Sequence, residues 1–84
     1  VFEMPLAFVL LNVQSGTDEE VAEKIRGTPS VKEVSRIYGI YDLILRVEVE
    51  NLNEIKALVE SKLRRMPEVK STLTMIAAEK SLKS

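Results

Sequence analysis

Gly39, Asp42, Thr72 and Thr74 are the residues of this chain whose types suit the capture of a small zwitterion. Gly39 permits a backbone conformation that leaves amide N–H groups free to face a ligand. It sits within Tyr38-Gly39-Ile40-Tyr41-Asp42, so a fixed anion follows directly after those amides. Thr72 and Thr74 alternate along a later apolar segment, and strict alternation places their hydroxyls on the sheet face that Asp42 shares. The set offers an acceptor for an ammonium group and donors for a carboxylate, and a free amino acid is the natural ligand for both. A plainer reading competes: Gly39 and Asp42 form a hairpin turn, and the threonines simply favour strand.

Other chemistries lack their residues. The chain has no Cys and no His, which removes disulfides, thiolate nucleophiles, imidazole bases and the usual zinc ligands. No metal or cofactor is expected. Carboxylates are plentiful, but Glu19, Glu20, Glu23 and Glu60 fall on outer helix faces, where a solvated structural role is the expectation. The chain is therefore read as a non-enzyme. Net charge is −1, so neither nucleic acid nor an anionic membrane is strongly attracted. The apolar runs fall well short of the roughly 20 residues of a membrane span, and Glu3 and Pro5 stand where a signal peptide would be basic. The expected location is the cytoplasm.

The elements that must position the candidate residues follow from periodicity. Leu6 to Val13 is apolar at nearly every position, as in a strand buried on both faces. Thr17-Asp18-Glu19-Glu20 fits a capping box opening a helix whose apolar face is Val21, Ala22 and Ile25. Gly27 suits a left-handed stop and Pro29 forbids continuation. Val31 to Tyr38 reads as a second strand. From Asp42 to Glu50 the chain alternates, with Leu43, Leu45, Val47 and Val49 on one face. Asn51 and Glu54 form a second possible box for a helix whose buried stripe is Leu52, Ile55, Leu58, Val59, Leu63 and Met66, with Glu60 and Arg64 as an outer i, i+4 pair. The last strand, Val69 to Ala78, puts Val69, Ser71, Leu73, Met75 and Ala77 on one face and Thr72, Thr74, Ile76 and Ala78 on the other. The ordered domain is expected over 5–78, with a polar tail at 79–84.

The two halves echo each other. Ile25-Arg26-Gly27-Thr28-Pro29-Ser30-Val31-Lys32 and Leu63-Arg64-Arg65-Met66-Pro67-Glu68-Val69-Lys70 share Arg, Pro, Val and Lys at a constant offset of 38 (63 − 25, 70 − 32). Strand, helix, strand, twice over, with right-handed crossovers, predicts a ferredoxin-like α+β fold: βαββαβ, a four-stranded antiparallel sheet ordered 4-1-3-2, two helices on one face. The helices are expected to cover Leu43, Leu45, Val47, Val49 and the odd-numbered residues of the last strand. One apolar set of the first strand, Leu6/Phe8/Leu10 or Ala7/Val9/Leu11, is then left bare and calls for a second copy, sheet against sheet.

With these elements in place, the sequence resembles the effector-binding domain of the leucine-responsive regulator/asparagine-synthetase regulator (Lrp/AsnC) family of transcription factors, most of all its stand-alone form without the helix-turn-helix. The resemblance rests on Tyr38-Gly39-Ile40-Tyr41-Asp42-Leu43-Ile44-Leu45, on Met66-Pro67-Glu68-Val69 and on the spaced Thr72 and Thr74, and it runs from about Pro5 to Ala78. Ile40 departs from the pattern, since relatives commonly carry Asp or Glu there. The resemblance implies a homodimer through the sheets, a higher ring (octamer or decamer), and a small effector, typically an amino acid, bound between subunits. It also implies that a copy lacking the helix-turn-helix has no direct hold on nucleic acid and acts by joining or modulating full-length regulators.

Geometry independently favours a site between chains. In the 4-1-3-2 order the first strand separates Asp42 from Thr72 and Thr74, and two strand spacings are about 10 Å. One α-amino acid does not span that within a single subunit. Three rivals share parts of this pattern: an ACT-like regulatory domain, a dimeric α/β-barrel monooxygenase-like enzyme, whose cavity usually holds polar or His residues, and an assembly module with no ligand.

Overall fold

The computed structural model describes residues 6–77. Strand β1 (Leu6–Val13) leads to helix α1 (Asp18–Arg26), strands β2 (Val31–Arg36) and β3 (Leu43–Glu48), helix α2 (Leu52–Leu58) and strand β4 (Val69–Ile76). The sheet order is β2-β3-β1-β4 and every neighbouring pair is antiparallel, as the double strand-helix-strand pattern requires. The fold is ferredoxin-like α+β. The ends of the expected domain, Pro5 and Ala78, and the expected tail at 79–84 lie outside the described residues.

Alternation decides which residues fill the core. Ala7, Val9, Leu11 and Val13 of β1 are buried, and Leu43, Leu45, Val47 and Val49 stand beside them. Val21 and Ile25 of α1 and Ile55, Leu58 and Leu63 from the second helical segment close over this layer. Each fully buried aliphatic side chain contributes about 1.5–3 kcal/mol relative to exposure. β1 is thus buried on one face within the chain, not on both. Leu6, Phe8 and Leu10 are only half-buried and form part of the open face.

The helix ends differ from expectation in instructive ways. The Thr17 hydroxyl donates to the Gln14 carbonyl at 2.7 Å and caps no helical amide, so the first capping box does not form. The turn at Gly16, where φ is 81°, brings Gln14 within reach and diverts the hydroxyl. Gly27 has φ −80°, so α1 stops without a left-handed residue; Thr28 N–H bonds the Ile25 carbonyl and Pro29 follows. The second cap forms: Asn51 Oδ1 accepts from Glu54 N–H at 3.2 Å, while Glu54 Oε2 accepts from Glu50 N–H. Leu52, expected in the buried stripe, is exposed.

Beyond Leu58 the helix widens into a π turn over Val59–Leu63, closed by Arg64 N–H on the Val59 carbonyl at 2.8 Å. Leu63 is fully buried at its end. The expected Glu60–Arg64 pair is not among the ion pairs of the described residues, because the wide turn breaks the α spacing such a pair depends on.

β4 brings the main correction. Val13 lies opposite Val69, but Asn12 lies opposite Ser71, so Lys70 is an extra residue in a β-bulge. Val69 packs against the core, and beyond the bulge the parity reverses. Leu73 and Met75 pair with Leu10 and Phe8 on the open face, whereas Thr72 and Thr74 pair with Leu11 and Val9 on the helix face. Strict alternation assigns these sets the other way round, and the extra residue Lys70 is what reverses them.

Candidate functional site

The segment after β2 is held at both ends and free in the middle. Ile37 N–H bonds the Asp42 carbonyl and Asp42 N–H bonds the Leu11 carbonyl, each at 2.9 Å. Between these clamps, the backbone N–H groups of Tyr38, Gly39, Ile40 and Tyr41 make no hydrogen bond to any described residue. Gly39 has φ 134°, a conformation that side-chain-bearing residues rarely adopt. The loop therefore presents a short run of unpaired donors, and its Tyr38 and Ile40 side chains are 97 % and 84 % exposed. Tyr41 is half-buried.

Asp42 has two duties. Its Oδ2 accepts from Val13 N–H at 2.8 Å and so completes the β1–β3 ladder at the point where the strand backbones part. No other hydrogen bond from a described residue reaches the carboxylate, which leaves Oδ1 available to a cation beside the free loop amides. The side chain is half-buried, which limits solvent competition for that oxygen. The loop and Asp42 thus come together as expected.

Thr72 and Thr74 do not join them. They lie across β1 from β3, on the helix face, and the bulge at Lys70 takes their hydroxyls off the face that alternation shared with Asp42. Thr72 is half-buried and Thr74 exposed. The row Leu43–Leu11–Thr72 sets Thr72 two strand spacings from the Asp42 end of β3, about 10 Å.

A second feature was missed by residue type alone. Arg64, Val69, Lys70, Ser71 and Thr72 line a cleft of about 300 Å³ between the π turn and the bulge. Nothing in the sequence marks the bulge, since Lys70 is an ordinary strand residue; the one available signal was the repeat, which aligns Arg64 and Lys70 with Arg26 and Lys32.

The model of the Lrp/AsnC ligand binding domain matches residues 6–84. The chain belongs to the Lrp/AsnC family. An HTH-type transcriptional regulator of Pyrococcus horikoshii, PH1916, is 42 % identical over 74 residues, 84 % of this chain and 49 % of the regulator. This Lrp/AsnC chain therefore spans about half the length of that curated relative. The crystal structure of the hypothetical protein PHS023 from Pyrococcus horikoshii matches with 42 % identity and a TM-score of 0.84, covering 92 % of this chain and 93 % of that one. A transcriptional regulator of Neisseria meningitidis, NMB0573, solved as its L-Met complex, shares the Lrp/AsnC fold at 21 % identity and a TM-score of 0.82, over 95 % of this chain and 53 % of that one. No helix among the described residues is long and apolar enough to cross a membrane.

Proposed function

We propose that this Lrp/AsnC domain is an amino-acid-sensing and oligomerisation module of transcriptional regulation. The observation that carries the reading is the Tyr38–Asp42 loop: four backbone donors with no partner among the described residues, followed by a carboxylate with one oxygen those residues leave unengaged, on a loop whose Tyr38 and Ile40 side chains are almost wholly exposed in the single chain. An ammonium group bonds Asp42 Oδ1, and the amides take a neighbouring acceptor. A zwitterion loses hydration at both ends when enclosed, and each end then needs a charge-assisted partner. A loop this exposed encloses nothing until a second subunit covers it. Thr72 or Thr74 of that neighbouring subunit helps hold the ligand's carboxylate. Ligand binding and assembly are coupled in this arrangement, which suits a sensor.

Assembly has its own support. The open face carries Phe8 and Leu10 flanked by Leu73 and Met75, the last two 44 % and 46 % exposed, and these are the side chains a sheet-to-sheet dimer covers. Dimers joined through the loops build the ring. The L-Met in the Neisseria meningitidis protein is of the ligand class inferred here, and the name of PH1916 supports a regulatory role. A module of this kind acts in the cytoplasm. A thermal-shift screen against the twenty amino acids tests the reading, since a ligand that binds only the native state raises the melting temperature. One or a few amino acids should raise it in a concentration-dependent way; a flat response across the set refutes sensing and leaves an assembly module.

A further inference from the structure

The cleft between the π turn and the bulge has no acidic residue in its lining but has two cations, Arg64 and Lys70, although the whole chain carries a net charge of −1. The internal repeat offers a comparison for these two. In the first copy, Arg26 pairs with Glu23 and Lys32 donates to the Pro29 carbonyl at 2.9 Å. Their counterparts in the second copy, Arg64 and Lys70, make no ion pair or side-chain hydrogen bond with any described residue. The Glu68 carboxylate engages Lys24 through Oε2 at 2.9 Å, its Oε1 is buried without a hydrogen-bond partner among the described residues, and neither oxygen bonds Arg64 or Lys70. The bulge leaves Lys70 without a cross-strand partner and turns Ser71 and Thr72 to the two sides of the strand at the same cleft.

We propose that this cleft binds the oxyanion group, carboxylate or phosphate, of a small metabolite. The guanidinium of Arg64 offers a planar pair of donors that fits two anion oxygens, Lys70 adds a compact charge, and the Thr72 hydroxyl on the helix face adds a neutral donor. A volume of about 300 Å³ accommodates a small ligand. The cleft and its two cations lie within one subunit and do not involve Asp42; with the zwitterion site at the Tyr38–Asp42 loop it shares at most the Thr72 hydroxyl.

The test is calorimetry of the purified chain with inorganic phosphate and, separately, succinate, each at constant ionic strength against sodium chloride. Saturable binding of at least one probe is expected, and its identity assigns the anion: phosphate alone marks a phosphate site, succinate alone a carboxylate site. Exchange of both Arg64→Gln and Lys70→Gln should weaken binding at least tenfold. Lys56→Gln, which removes an exposed charge elsewhere, should leave it unchanged. Absence of binding by both probes overturns the proposal, and so does parent-like binding by the Arg64→Gln/Lys70→Gln variant. Sensitivity to Lys56→Gln as great as to the double exchange would reduce the effect to general charge and overturn it too. If duplex DNA binds and both small probes fail, the occupant is a nucleic-acid backbone and the metabolite site is refuted.

Discussion

Asp42 holds two separable roles in one side chain, and two substitutions divide them. Asp42→Asn keeps an oxygen that can accept from Val13 N–H, so the β1–β3 ladder should survive while the negative charge is lost. Amino-acid affinity should then fall by about 1.5–3 kcal/mol, the usual worth of a hydrogen bond to a charged group, with little change in stability. Asp42→Ala removes the acceptor as well and should lower stability by about 1–3 kcal/mol, because Val13 N–H is left unpaired. Calorimetry for binding and denaturant unfolding for stability check the two; an Asn variant that binds like the parent would reduce the loop to a turn. Gly39 makes a different demand. Nothing lies within 4 Å of a Cβ built there, so a side chain would meet no obstacle, yet φ 134° is a conformation a β-branched residue resists. Gly39→Val should cost about 1–3 kcal/mol in unfolding experiments through backbone strain alone.

At the scale of elements, the strand and helix order was legible because period-2 and period-3.6 patterns are carried by residues such as Leu43/Leu45/Val47 and Val21/Ile25. The face assignment of β4 was not. Its parity turns on one inserted residue, Lys70, and a bulge built from an ordinary residue leaves no mark in composition. The π turn at Val59–Leu63 was equally silent, since Leu63 reaches the core whether the turn is α or π. The positive-φ turn between β2 and β3 was readable from Gly39, whereas the face assigned to Thr72 and Thr74 inherited the error in parity. The turn into β4 is also tied electrostatically. Lys24 Nζ donates to Glu68 Oε2, joining α1 to that turn, and this hydrogen bond holds the Glu68 carboxyl below the ordinary carboxylate value and Lys24 above the ordinary lysine value. For Glu68, the lowered value means stability that is present above the unfolded-state pKa and lost as pH falls through the folded value. For Lys24, the raised value means stability fully present below the unfolded-state pKa and lost as pH rises through the folded value. Thermal unfolding of Glu68→Gln across pH should therefore show a flatter acid arm than the parent, and the effect should shrink in high salt, as befits a surface pair.

For the molecule as a whole, the uneven distribution of polarity across the sheet predicts how copies meet. One face is closed by helices; the other carries Phe8, Leu10, Leu73 and Met75 over β1 and β4, then Arg46 bonded to Glu48 at 2.6 Å over β3, with Glu33 of β2 at 3.7 Å. The apolar half drives association because hydrocarbon leaves water, while the charged half sets orientation, since like charges brought opposite each other are penalised. A two-fold axis through the sheet face satisfies both by laying each apolar half against its copy. Phe8→Lys places a charge in the middle of that contact without touching the helix-side core, as Phe8 is paired with Arg46 on one side and Met75 on the other. Light scattering should find the parent at or above the dimer mass at micromolar concentration and the Lys variant shifted to monomer, while circular dichroism shows the secondary structure retained. A parent chain that is a folded monomer under these conditions would overturn the sheet-to-sheet dimer and the shared site together.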